Sequence, residues 1–152
     1  MRKFIGIDPG TNGGMAWVGG GCLMTFKLKG ATERDVWEAM QAFVTTDVAD
    51  CFAVIESVHS SPQMGVVSAF TFGRSLGFLR GVLIAAEIAF EEVTPQKWQK
   101  ALGCLSKGDK NVTKARAQQL FPAMKVTHAN ADCLLLAEYA RRVWHERYAK
   151  VS

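Results

Sequence analysis

No C-x-x-C pair occurs among the four cysteines of this 152-residue sequence, Cys22, Cys51, Cys104 and Cys133. Zinc sites and disulfide frameworks call for cysteines at short, recurrent spacings, so the reading is of single thiols in a reducing compartment. A long apolar run is missing too. The most apolar stretch, Ser75 to Phe90, is interrupted by Arg80 and Glu87, too early for a bilayer span. The N-terminus passes straight into a strand-like segment without the pattern of a signal peptide. There is no internal repeat, linker or low-complexity segment, and no stretch has the polar composition of disorder. These absences leave one soluble domain spanning 1–152, long enough to bury a sizeable core, with no membrane partner expected. Charge is only mildly unbalanced, at a formal +4 and a pI near 9.0. That fits a nucleic-acid partner without requiring one.

What is present begins with Lys3-Phe4-Ile5-Gly6-Ile7-Asp8-Pro9-Gly10. Phe4, Ile5 and Ile7 around one small residue predict a short buried strand, ended by Asp8 and turned by Pro9-Gly10. Alternation puts Gly6 and Asp8 on one face and Ile5 and Ile7 on the other. An acid in that position either caps its own turn or faces a cleft, a cation or a phosphate. Residues 14–18 and 22–28 predict two more strands joined by Gly19-Gly20-Gly21, completing an antiparallel meander. A helix follows from Thr32 to Thr45, with Thr32 as its cap and Asp35 three positions on.

Residues 52–58 predict a fourth strand, in which Val54 and Glu56 share a face, and then a loop from His59 to Gly65. A long helix is expected from Val66 to Ala89. Gly73, Gly77 and Gly81 recur every four residues along one of its faces. Each glycine costs up to about 1 kcal/mol against alanine in a helix. The spacing therefore suggests close approach of another backbone, within the monomer or across a subunit interface. A fifth strand at 90–93, a short helix opened by Pro95, a polar basic loop from Ser106, a helix from Val112 to Leu120 and a last helix from Asn130 to Tyr148 complete the chain. The pattern is that of a mixed-sheet α/β domain.

Three acids occupy similar settings: Asp8 and Glu56 at strand ends, and Asp132 in the first turn of the last helix, where the helix dipole alone would favour it. Carboxylates that converge repel one another unless hard cations lie between them, and oxygen ligands of that kind suit Mg²⁺ or Mn²⁺. Two such ions can activate a water and stabilise the leaving oxygen of a phosphodiester.

Gly6-Ile7-Asp8-Pro9-Gly10, Val54-Ile55-Glu56 and Ala131-Asp132-Cys133-Leu134-Leu135-Leu136-Ala137 resemble, in order and spacing, the signature blocks of RuvC-type Holliday-junction resolvases. Residues 93–98 and the basic stretch 107–114 are similar to that family's later blocks. The resemblance covers nearly the whole chain and is nearest to compact phage and bacterial members. It implies a ribonuclease-H-like fold with a five-stranded mixed sheet flanked by helices. It also implies a cytoplasmic homodimer that nicks four-way DNA junctions symmetrically, with Asp8, Glu56 and Asp132 as ligands of about two Mg²⁺ ions, Mn²⁺ substituting.

The family's usual acid shortly before the last one is replaced here by Ala129. His128, four residues before Asp132, is the candidate substitute on the premise that i and i+4 share a helix face, as a ligand or proton relay. It reads equally as a solvated cap, and Ala129 as the mark of a weakened site. On the same resemblance Gly73, Gly77 and Gly81 would line a dimer interface, and His59 or Met64 would wedge into the junction. Lys107, Lys110, Lys114 and Arg116 would contact phosphates, unless they are simply a solvated basic loop. Two other functions stay open. One is a module that binds branched DNA and cuts it poorly. The other is a phosphotransferase like the sugar kinases and actin-like ATPases, whose first phosphate loop Asp8 to Gly13 also resembles.

Overall fold

The computed structural model describes residues 1–44 and 48–151. Strands β1 (Lys3–Asp8), β2 (Gly14–Gly19) and β3 (Cys22–Lys27) form the expected meander, and β4 (Cys51–Glu56) and β5 (Ala89–Val93) complete a single sheet. Its order is β3-β2-β1-β4-β5. β1 runs antiparallel to β2 and parallel to β4, which is parallel to β5, so the sheet is mixed. Helix α1 (Glu33–Phe43) opens on the capping box read from Thr32 and Asp35. The expected end of that helix at Thr45 lies outside the described residues. Then come α2 (Val66–Ala85), α3 (Pro95–Ala101), α4 (Lys110–Leu120) and α5 (Ala131–Arg147).

Strand alternation divides the core in two. Ile5, Ile7, Ala53 and Ile55 face α1 and α2, where Val36, Met40, Leu79, Val82 and Leu83 are buried. Phe4, Phe52 and Val54 face α5, with α3 and α4 beside it. Gly6 explains how α5 sits so close to β1. A Cβ built there would stand 2.2 Å from both the Ala137 nitrogen and the Cys133 carbonyl oxygen. Only a residue without a side chain lets the helix backbone rest on the strand.

Several expectations need correction. The fourth strand ends at Glu56, not Val58, although Ser57 N–H still donates to the Val93 carbonyl at 2.7 Å. Helix α2 ends at Ala85 instead of Ala89, because Ala89 begins β5. Length and composition make α2 apolar enough to cross a membrane, contrary to the reading centred on 75–90. Here it docks on the sheet through Leu79, Val82 and Leu83. Arg74 pairs with Glu33 at 3.2 Å, and Arg80 pairs with Glu92 at 3.0 Å. Gly73, Gly77 and Gly81 do not pack inside the monomer. A Cβ at any of them would meet nothing within 4 Å. The same helix leaves Val66 at 86%, Phe70 at 72% and Ile84 at 62% exposure.

Candidate active site

Asp8 and Glu56 reach a common place through the register of β1 and β4. The parallel ladder pairs Gly6 with Val54 and Ile7 with Ile55. The next residue on each strand is the acid, and alternation points both toward the α5 face. Asp132 arrives from the opposite direction, in the first turn of the helix that Gly6 admits. A local scaffold sets where that helix starts. Thr127 N–H donates to Asn130 Oδ1 at 2.7 Å, and Asn130 Nδ2 donates to the Lys125 carbonyl at 3.1 Å.

The electrostatics of the three acids are linked. Burial raises the Asp8 carboxyl well above its ordinary value, and the charges of Glu56 and then Asp132 raise it further, while Lys110 opposes them. Glu56 is pushed up to about 7 by burial, against the lowering effect of a hydrogen bond from Trp98, with Asp132 adding to the rise. Asp132 is raised by burial and eased by the Thr113 hydroxyl, Lys110 and His128. Thr113 is itself buried, and its one hydroxyl proton has a second acceptor in the Lys110 carbonyl at 3.2 Å.

Asp8, Asp132, His128, Lys110 and Thr113 line one cleft of about 320 Å³, together with Phe72 and the loop Pro9 to Gly13. Glu56 is not in its lining. Its Oε2 accepts from Trp98 Nε1 at 2.7 Å. Among the described residues no three His, Cys, Asp or Glu side chains stand close enough to enclose a metal ion. The donor chemistry nonetheless fits a hard divalent cation: three carboxylates whose charged forms burial penalises, Asp8 and Glu56 being raised further by acidic neighbours, with Lys110 the cation that opposes the charge on both Asp8 and Asp132.

The other predicted residues separate. His128 lies in the turn before α5, so the shared helix face was the wrong premise, yet the turn still brings it into the cleft beside Asp132. Lys110 and Lys114 are on one helix because α4 starts at Lys110, two residues earlier than read. Lys107 is exposed in the loop ahead of it, in a left-handed conformation with φ of 50°. Arg116 is drawn into the fold, donating to the Leu102 carbonyl at 2.9 Å and to Gln119 Oε1 at 3.2 Å. His59 is exposed beside Ser57 Oγ, and Met64 is half-buried in the turn that leads into α2.

Sequence reasoning missed Trp98, Thr113 and Phe72. A tryptophan in a short apolar-faced helix does signal an indole N–H in need of an acceptor. Thr113 carried the weaker sign of a hydroxyl within a helix. Phe72 carried none.

No protein-family model matches the sequence, and no curated protein matches it. Solved structures do. One is a Thermus thermophilus RuvC structure, with 18% identity, a TM-score of 0.60 and coverage of 99% of this chain and 96% of that one. Another is T. thermophilus RuvC in complex with a Holliday junction substrate, with 17% identity, a TM-score of 0.65 and coverage of 99% and 97%. The mixed sheet, its strand order and end-to-end superposition on these structures give the chain a RuvC-type, ribonuclease-H-like fold.

Proposed function

We propose that the chain is a divalent-metal-dependent endonuclease that resolves four-way DNA junctions, working as a homodimer in the cytoplasm. The observation that carries this reading is the cleft that gathers Asp8, Asp132, His128 and Lys110, with Glu56 at the end of the strand paired to that of Asp8. Asp8, Glu56 and Asp132 would hold Mg²⁺ or Mn²⁺, with His128 contributing a nitrogen or relaying a proton. When bound, the ions would supply an activated water and charge stabilisation at the leaving oxygen. Lys110 opposes the carboxylate charge and would help a phosphate enter the cleft, with Lys114 and Lys107 continuing a basic track along the backbone. The loop carrying His59 and Met64 would reach toward the junction centre. The open face of α2 along Gly73, Gly77 and Gly81 would be the subunit contact. The fold of the junction-bound structure supports branched DNA as the substrate.

The test is a four-way junction labelled on each strand, incubated with the protein and Mg²⁺ or Mn²⁺. Paired nicks at symmetric positions are expected. Cleavage that persists in chelator would end the reading. Ala129, where the resemblance expects an acid, favours a second reading, a module that binds branched DNA and cuts it poorly. Junction retention without nicks under both metals would select it, and tight Mg-ATP binding would instead select a phosphotransferase.

A further inference from the structure

Glu56 is held by a group that has no place in the reading above. Trp98 is fully buried in the cluster beneath α5, and its indole N–H donates to Glu56 Oε2 at 2.7 Å. The route that brings it there is built into the chain. Glu56 sits beside Val93 in the ladder. From Val93 the chain passes to Thr94, which caps α3 by accepting from Lys97 N–H at 3.4 Å, with Pro95 as the first helical residue. The first turn of α3 thus carries Trp98 back over the end of β4.

Burial of an indole does not by itself explain the bond. Trp17, equally buried on the other side of the sheet, has an Nε1 with no partner among the described residues, so burial there is not matched by an acceptor. A glutamate side chain has three rotatable bonds, and orienting one as a ligand costs entropy. A lysine or arginine would orient it too, but would neutralise the charge a cation needs. An indole N–H is a neutral donor. It fixes one oxygen, leaves the full negative charge on the carboxylate, and leaves Oε1 with no hydrogen-bond partner among the described residues.

We propose that Trp98 is a positioning residue: its indole N–H orients Glu56 so that Oε1 is presented to a divalent cation. The inference rests on the metal-site reading. Hydrogen-bond partners of metal ligands are typically worth about 10–100-fold in metal affinity.

The experiment replaces Trp98 by β-(3-benzothienyl)alanine, which keeps the ring shape and lacks only the N–H, with Trp98→Phe as a second variant. Mn²⁺ binding is read by electron paramagnetic resonance, with circular dichroism to check the fold. The expected result is a Mn²⁺ dissociation constant at least about tenfold weaker in the isostere, and no further loss when it is combined with Glu56→Gln. Wild-type affinity in the folded isostere would overturn the inference and leave the nuclease reading standing. A wild-type protein that takes up no Mn²⁺ would end both. An independent measurement needs no Trp98 variant. Among the indole ¹⁵N–¹H signals of the four tryptophans, one should shift on adding Mg²⁺, and that response should vanish in Glu56→Gln. If no indole signal responds to Mg²⁺ that the wild type binds, the inference fails.

Discussion

At the scale of single residues, the chemistry depends on charge placed where water is scarce. Burial and the charges of Glu56 and Asp132 hold the Asp8 carboxyl well above its ordinary value, so its charged form stands to gain from a cation. Asp8→Asn should lower junction cleavage by about 10² or more while junction binding stays intact or tightens, because a charge that repels phosphate is gone. Gel-shift and nicking assays on the same preparation separate the two effects, and near-normal cleavage would remove Asp8 from the ligand set. Glu56 makes a pH prediction for the metal-free protein. Its carboxyl stands at about 7 in the fold against an ordinary 4.5, so the folded chain binds the proton more tightly than the unfolded one. The cost of its buried charge is absent below pH 4.5 and complete above about 7. In chelator, thermal stability should therefore fall as pH rises through that window. Glu56→Gln should show a shallower fall and be the more stable protein at about pH 8. Parallel melting curves for the two proteins would clear Glu56 of this role.

At the scale of elements, the close packing of α5 on β1 decides whether the acids meet. A methyl group at Gly6 would collide with backbone atoms of α5, which have no rotamer to escape into. Gly6→Ala should cost about 3 kcal/mol, seen as a lower midpoint in urea unfolding. A loss below about 1 kcal/mol would mean that the helix moves aside at little cost. Helix α4 makes the complementary prediction, since it carries Lys110 at the cleft and Lys114 one turn on. Lys110→Ala and Lys114→Ala should each weaken junction binding and reduce the slope of log affinity against log salt by about one. Titrations across salt concentrations measure that slope, and an unchanged value would place the lysine off the DNA.

At the scale of the whole molecule, α2 is the element the monomer leaves unfinished. Its inner side is buried on the sheet, while Phe70, Gly73, Gly77 and Ile84 remain in the open. On the proposed subunit contact, Phe70→Glu should shift the sedimenting species from dimer to monomer while the circular dichroism of the folded subunit is kept, because Phe70 is 72% exposed in it. Sedimentation velocity decides between them, and a wild-type monomer at high concentration would remove the subunit role of this face. The open face also explains how one helix passes for a membrane span by composition alone. Its apolar residues point both inward and outward, while its arginines reach sideways to Glu33 and Glu92.

The five strands, the capping box at Thr32, the glycine stripe on α2 and the three acids were all legible in the sequence, because each is written in neighbouring residues with a period of two or of about four. The order of the sheet was not, since nothing local states which strands pair. The tertiary structure alone decided that Arg116 turns inward, that His128 reaches the cleft from a turn and not from a helix, and that Thr113 and Trp98 stand against the acids. Those placements depend on ladder register and on one helix touching a strand far away in sequence. A side chain 42 positions from Glu56 becomes its hydrogen-bond partner only once β4, β5 and α3 are stacked.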